Sequence, residues 1–272
     1  MRRILLAALS AAALLAAPER AARASGFDLN GRMAPEIRLQ DGLNGASAST
    51  TLASLRGKVV CLKFWLTGCP ICRGTLPAYQ ALHDRYSRSG VVCLSVVYDT
   101  AQGVTPYLRQ AGWTFPVGCD PTGYSPGQYG VQHFPGDYVV GIDGVVRAST
   151  GFPTEVIEEE LRKQRVAEWG SVPPSLRGAQ AAVEDGDYGE ALRIAEPLAK
   201  AKDAAEDVQR AVGKLVDLAR VRLENRFARV DAQVRAGRVA EARASLTKIA
   251  QDFRETSLAA MVADKLKSLP AK

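Results

Sequence analysis

Cys69 and Cys72 stand three positions apart in the run Cys69-Pro70-Ile71-Cys72. That spacing makes a dithiol rather than two isolated thiols. The run follows an apolar segment, Val59-Val60-Cys61-Leu62-Lys63-Phe64-Trp65, that reads as a buried strand. It opens a segment from Ile71 to Ser89 that reads as a helix. A thiol at a helix N-terminus meets unpaired N–H groups and the positive end of the helix dipole, so its thiolate is favoured. A free cysteine pKa of about 8.5 falls by roughly one to several units in such places. The second thiol sits one turn further in, within reach to close a disulfide. The chemistry indicated is thiol–disulfide exchange. The competing use of such a pair is a zinc half-site, which needs a second Cys pair or a His pair at ligand spacing. The chain has only His83 and His133 and no second Cys-x-x-Cys, so no metal is expected.

Elements that could position the dithiol surround it. Glu36 to Gln40 reads as a short strand and Leu43 to Thr50 as loop; Val91 to Val97 is a second buried strand. Val104 to Ala111 is helical and stops at Gly112. Tyr138 to Ile142 and Val145 to Ala148 flank Asp143-Gly144, the signature of a two-residue type I′ hairpin. Pro153 to Glu168 is acidic first and basic later, as a helix dipole prefers. Strands joined by helices and closed by a hairpin and a helix make an α/β domain over residues 26–168.

Residues 169–175, with Pro173-Pro174, read as a linker, and residues 176–270 as an Ala-rich all-α region. A weak repeat runs through that region. Ala181, Val183, Gly186, Glu190 and Ala191 recur 51 positions later as Ala232, Val234, Gly237, Glu241 and Ala242. Each copy reads as helix, Gly turn, helix, in the manner of a tetratricopeptide-type (TPR-like) hairpin; an unspecific bundle is the alternative.

Residues 1–24 have the layout of a secretory signal peptide: Arg2-Arg3, an apolar stretch from Ile4 to Ala17, then small residues at Ala22-Arg23-Ala24. The apolar stretch is shorter than the roughly 20 residues of a spanning helix. The expected location is the periplasm or another exported compartment, with an uncleaved membrane anchor as the alternative. The net charge is +6, about +3 without the expected signal segment, which is mild for the size of the chain, and no dense Lys/Arg cluster with interleaved aromatics appears. Nucleic-acid binding is therefore not expected.

The segment from Phe64 to Pro77, Phe-Trp-Leu-Thr-Gly-Cys-Pro-Ile-Cys-Arg-Gly-Thr-Leu-Pro, resembles the active-site stretch of the TlpA/ResA-like thioredoxin-fold proteins, a redoxin or AhpC/TSA-like family of thiol–disulfide oxidoreductases. Gly31 to Pro35 resembles their entry motif, and Leu55 to Lys58 their turn into the first core strand. His133-Phe134-Pro135-Gly136-Asp137-Tyr138 with Ile142-Asp143-Gly144 resembles their cis-proline loop and closing hairpin. The resemblance covers residues 26–168 and implies a thioredoxin fold, a central mixed sheet flanked by helices, followed by an all-α domain. It implies that Cys69 attacks and Cys72 resolves. It also implies that Phe134 and a cis Pro135 shape the substrate groove, with proline withholding an N–H from the thiolate. No cofactor is implied beyond the redox-active disulfide Cys69–Cys72. The implied partners are protein thiols and disulfides, a membrane or periplasmic electron donor, and a protein partner of the helical domain.

The chain departs from the family pattern in three places. Gly68 replaces the usual aromatic before the first cysteine, Thr75 replaces a common Glu, and Lys63 stands where Asp or Asn is frequent. Strand alternation puts Cys61, Lys63 and Trp65 on one face. If that face meets the dithiol, Lys63 and Trp65 modulate it, and Lys63 would favour thiolate; the alternative is a lysine that snorkels to solvent. His133 is a further candidate modulator. Cys61 and Cys93 read as buried hydrophobes, and Cys119, near a loop, as a candidate third redox thiol. The leading function is an exported protein disulfide reductase. The alternatives are a redox sensor or partner-binding protein working through the helical domain, and a thiol peroxidase. A peroxidase would need Thr and Pro where Leu66 and Leu62 stand.

Overall fold

The computed structural model describes residues 28–270. The signal segment 1–24 lies outside them. Among the described residues no helix is long and apolar enough to cross a membrane.

The first part is built on one six-stranded sheet. Its strands are β1 (Asp41–Leu43), β2 (Val60–Trp65), β3 (Val92–Val97), β4 (Val117–Cys119), β5 (Gly136–Val140) and β6 (Val146–Ala148), in spatial order β1-β4-β3-β2-β5-β6. β2, β3 and β4 are parallel; β1, β5 and β6 pair antiparallel to their neighbours. This mixed sheet, flanked by α1 (Pro70–Tyr86), α2 (Ala101–Ala111), α3 (Tyr124–Gln128) and α4 (Thr154–Trp169), is a thioredoxin fold.

β2 is buried along its whole length, as a central strand covered on both faces must be. Its even positions, Val60, Leu62 and Phe64, pack with Ile37, Tyr129 and Tyr138. Its odd positions, Cys61 and Trp65, pack under α1 with Cys72, Leu76 and Tyr79, and with Ile157 and Leu161 of α4. α1 turns Cys72, Leu76 and Tyr79 inward at i, i+4 and i+7, the spacing of one helical face. α4 is tied to the sheet through polar contacts. Its Gln164 accepts from Val59 N at 3.2 Å, and its buried Glu160 accepts from Arg147 Nε at 2.9 Å and Lys163 Nζ at 2.7 Å.

Two local expectations need correction. Residues 36–40 form no strand; pairing begins at Asp41, where Gln40 N has already bonded Cys119 O at 2.8 Å. The closing hairpin is not type I′, which requires positive φ at two central residues. Only Gly144 has it, at 81°, while Gly144 N bonds Gly141 O and Gly141 N bonds Val145 O. The loop is therefore three residues with a glycine in the left-handed region, and Asp143 is held out of that region by accepting from Val145 N at 3.0 Å.

The second part is helical: α5 (Arg177–Asp185), α6 (Tyr188–Lys200), α7 (Glu206–Arg235), α8 (Val239–Asp252) and α9 (Ala259–Lys267). Gly186 and Gly237 both take positive φ, 78° and 74°, and each makes the turn of a helical hairpin. Asp187 then caps α6 by accepting from Glu190 N at 2.9 Å. A single core runs through Val183, Leu192, Leu215, Leu223 and Leu246.

Within the expected linker, residues 170–173 have no regular structure and Ser171, Pro174 and Ser175 are exposed. Leu176, just past it, is fully buried, and residues 174–176 form a turn of 3₁₀ helix. Trp169, at its start, is 2% exposed and belongs to the helical core, with Nε1 donating to Ala211 O at 2.8 Å. α4 therefore serves both halves, and Glu168 pairs with Arg222 of α7 and with Lys58. Trp169→Phe, which keeps the aromatic bulk but removes the donor, is expected to cost about 1–2 kcal/mol. A urea melt should show the midpoint falling at unchanged m-value.

Candidate active site

The dithiol sits where β2 ends and α1 begins. Cys69 is the N-cap of α1, Pro70 occupies the first helical position, and the two cysteines are joined as a disulfide. Proline suits that position because its missing N–H would have had no helical partner. Cys69 Sγ accepts from Cys72 N at 3.1 Å, so the helix N-terminus reaches the sulfur with a real donor. The two sulfurs differ sharply in access. Cys69 is half-buried at the surface, whereas Cys72 is fully buried against Trp65 and Leu76. An incoming disulfide can reach only the first.

The wall beside Cys69 is the loop before β5. The Phe134–Pro135 peptide bond is cis, and the carbonyl of Phe134 lies 3.8 Å from Cys69 Sγ. The Phe134 ring stacks on Tyr98, with centroids 6.4 Å apart. Tyr98 and Ile71 are exposed at 46% and 69%, and Gly68 adds no side chain between them and solvent. Thr75 is turned inward to its own helix, donating to Cys72 O at 2.9 Å. The result is a shallow apolar rim around one accessible sulfur, suited to an extended polypeptide carrying a disulfide.

The structure places the candidate modulators unevenly. Trp65 is fully buried and packs edge-on to Trp113 as part of the core. His133 is exposed and makes no hydrogen bond with a described residue. Lys63 does not snorkel. It is 1% exposed, and its Nζ meets Asp137 Oδ1 at 2.7 Å. The two residues face each other across the antiparallel pair β2–β5. Nζ also lies 5.6 Å from the Tyr79 ring centre and 5.8 Å from that of Phe152. The ammonium is therefore on the face that α1 covers, the face it shares by alternation with Cys61 and Trp65, but it is neutralised by Asp137. Asp137 is the residue that the sequence reading missed; its signal was a lone acid two positions past Pro135, at the head of an apolar strand.

Cys61, Cys93 and Cys119 are free and fully buried. Cys119 ends β4 inside the core rather than in a loop, and burial pushes its thiol up to about 11, which makes it a poor nucleophile. This overturns its candidacy as a third redox thiol. Cys61 and Cys93 are direct neighbours in the parallel register of β2 and β3. Cys61 is raised by its hydrogen bond to Cys93 and by burial, while Cys93 is drawn down to about 7 by that bond and by His83. Among the described residues no three metal-ligating side chains gather into a site.

Comparison with known proteins bears on the same half of the chain. The model of the AhpC/TSA family matches residues 30–149. A ResA thiol–disulfide oxidoreductase of Bacillus thuringiensis is 34% identical over 136 residues, covering 49% of this chain and 77% of the relative. The ResA protein of Halalkalibacterium halodurans is 31% identical over 133 residues, covering 48% and 74%. A solved thiol:disulfide interchange protein of the thioredoxin family from Chlorobium tepidum aligns at 20% identity and a TM-score of 0.41, over 49% of this chain and 99% of that one. The family-model match ends at residue 149, before the helical half begins.

Proposed function

We propose a direction and a division of labour for this chain, which belongs to the TlpA/ResA-like family of thioredoxin-fold thiol–disulfide oxidoreductases. It is a reductase of protein disulfides. The reduced Cys69 thiolate attacks one sulfur of a substrate disulfide; that bond breaks, the other substrate sulfur leaves as thiolate, and a mixed disulfide forms. Cys72 then attacks Cys69 Sγ, the second substrate thiolate leaves, and the Cys69–Cys72 disulfide closes. Two electrons pass to the substrate, and an external thiol or membrane donor must return them.

The observation that carries the division of labour is the contrast in access between half-buried Cys69 and fully buried Cys72. The direction rests on how little stabilises a Cys69 thiolate. It has one backbone donor, Cys72 N, and faces the Phe134 carbonyl; His133 is exposed and the Lys63 charge is spent on Asp137. Strong oxidants of this fold class stabilise the reduced pair instead. Export is part of the same reading and rests on the composition of residues 1–24. The helical hairpins serve as a TPR-like docking surface for a protein partner.

The test is the reduction potential of the pair, measured by equilibration in thiol buffers, beside insulin reduction with dithiothreitol as donor. A reductase requires a potential of about −230 mV or lower and catalysed insulin reduction. A potential near −120 mV, the range of a dedicated oxidant, would reverse the direction.

A further inference from the structure

Where the end of α1 meets the middle of α7, the two halves of the chain enclose a cavity of about 310 Å³ with an unusual charge balance. Five arginines line it. Three are committed: Arg222 pairs with Glu168, Arg226 with Asp252, and Arg165 donates to Glu184 O at 2.8 Å. Arg88 and Arg229 pair with no acid among the described residues. Arg88 Nη1 is buried without a hydrogen-bond partner, and so is the Tyr188 hydroxyl, on the wall formed by α6 and beside the Arg222 guanidinium. Arg229 stands exposed at the mouth. Burial, with Arg226 and Arg88 alongside, holds its guanidinium below its usual range. Of the acids on the wall, Asp252 is engaged by Arg226, Asp187 caps α6, and Asp185 is exposed to solvent.

A buried guanidinium N–H with no acceptor, facing a second unpaired cation, is costly in a folded chain. Both costs vanish if an anion lies between the two arginines. A second cavity of about 600 Å³ shares Arg88 and Arg229 with the first. It carries two more unpartnered buried atoms, His83 Nδ1 and Gln233 Oε1. The first cavity thus offers positive charge and donors, and the second offers His83 and Gln233, with Asp84, which accepts from Gln80, and Arg238 on the same wall, and room for an organic body.

We propose that this junction binds a phosphorylated small molecule. Its dianionic phosphate is held by Arg88, Arg229 and the Tyr188 hydroxyl, and its polar body lies against His83 and Gln233. Two guanidinium groups approaching from different elements, with a hydroxyl from a third, suit the tetrahedral spread of phosphate oxygens better than the single plane of a carboxylate. The charge of the phosphate matches the two unpaired arginines. Because the ligand touches α1, α6 and α7, it joins the thioredoxin fold to the helical array.

The site is tested on the full chain by calorimetric titration and thermal melts with inorganic phosphate, glycerol 3-phosphate and succinate, each at constant ionic strength. The expected result is saturable binding of one phosphate per chain, with a melting temperature raised by a few degrees. Glycerol 3-phosphate should bind at least about fivefold more tightly than inorganic phosphate, gaining hydrogen bonds in the second cavity. Arg88→Gln and Arg229→Gln should each weaken phosphate binding about tenfold or more. Arg229 is exposed, so its variant keeps the fold and preserves the test if Arg88→Gln does not. Shifts that follow ionic strength alone, or an unaltered affinity in Arg229→Gln, would overturn the site. Succinate binding as tightly as phosphate would overturn the ligand class. Equal affinity for the two phosphates would overturn the role of the second cavity.

Discussion

Cys72→Ser is expected to hold substrate proteins on Cys69 as stable mixed disulfides, while Cys69→Ser holds none. The argument is one of access. A substrate disulfide can approach the half-buried Cys69, and in the proposed cycle the mixed disulfide it forms is cut by Cys72. With serine at 72 the second attack is gone, because a hydroxyl is not a thiolate nucleophile at neutral pH. With serine at 69 the first attack is gone, and Cys72, fully buried on the inner face of α1, offers no route in. Each single variant should lose about a thousandfold or more of catalysed insulin reduction, since the two thiols act as a unit. Non-reducing gels of the two variants after incubation with insulin separate the roles. Equal trapping by both would overturn the assignment of attack to Cys69 and would mean that the helix opens enough to expose Cys72.

The dithiol was legible because its signal is local. A Cys pair at helix spacing, behind an apolar strand and ahead of an amphipathic helix, fixes its own surroundings within a few residues. β2, β3 and α1 were read for the same reason: each is long enough to show a period. β1 and β4, three residues each, carry no period and exist only through their pairing with one another and with β3. The hairpin turn was misread because Asp-Gly fits both a two-residue and a three-residue loop, and the strand register decides between them. The boundary between the two halves was blurred by Trp169. It ends a helix of the first fold yet fills the core of the second, and only tertiary packing reveals that. The arginine pocket is less readable still, since Arg88 and Arg229 meet across the junction of two folds.

Lys63 shows how far such reading reaches. Alternation placed it on one strand face with Cys61 and Trp65, and the structure puts that face beneath α1; its partner lies 74 positions away in sequence and is set by the β2–β5 register. That partner decides the energetics. Asp137→Ala would leave an ammonium 1% exposed among Tyr79, Phe152 and the sheet. Removing one member of a buried pair costs about 3–5 kcal/mol, enough to consume a large share of an ordinary domain's stability. Lys63→Met should cost less, about 1–2 kcal/mol, because Asp137 retains 18% exposure and can turn to water. The double variant Lys63→Met/Asp137→Ala should cost less than Asp137→Ala alone, with a coupling energy of about 2–3 kcal/mol in a denaturant cycle. The same variants test the link to the thiol. Lys63→Met leaves an unpaired carboxylate beneath α1 and should raise the Cys69 pKa; Asp137→Asn leaves an unpaired ammonium and should lower it. Shifts of opposite sign, each about half a unit, are expected in thiolate absorbance titrations of the reduced protein. Titration curves that coincide with wild type in both variants would show that the pair holds β2 to β5 and nothing more.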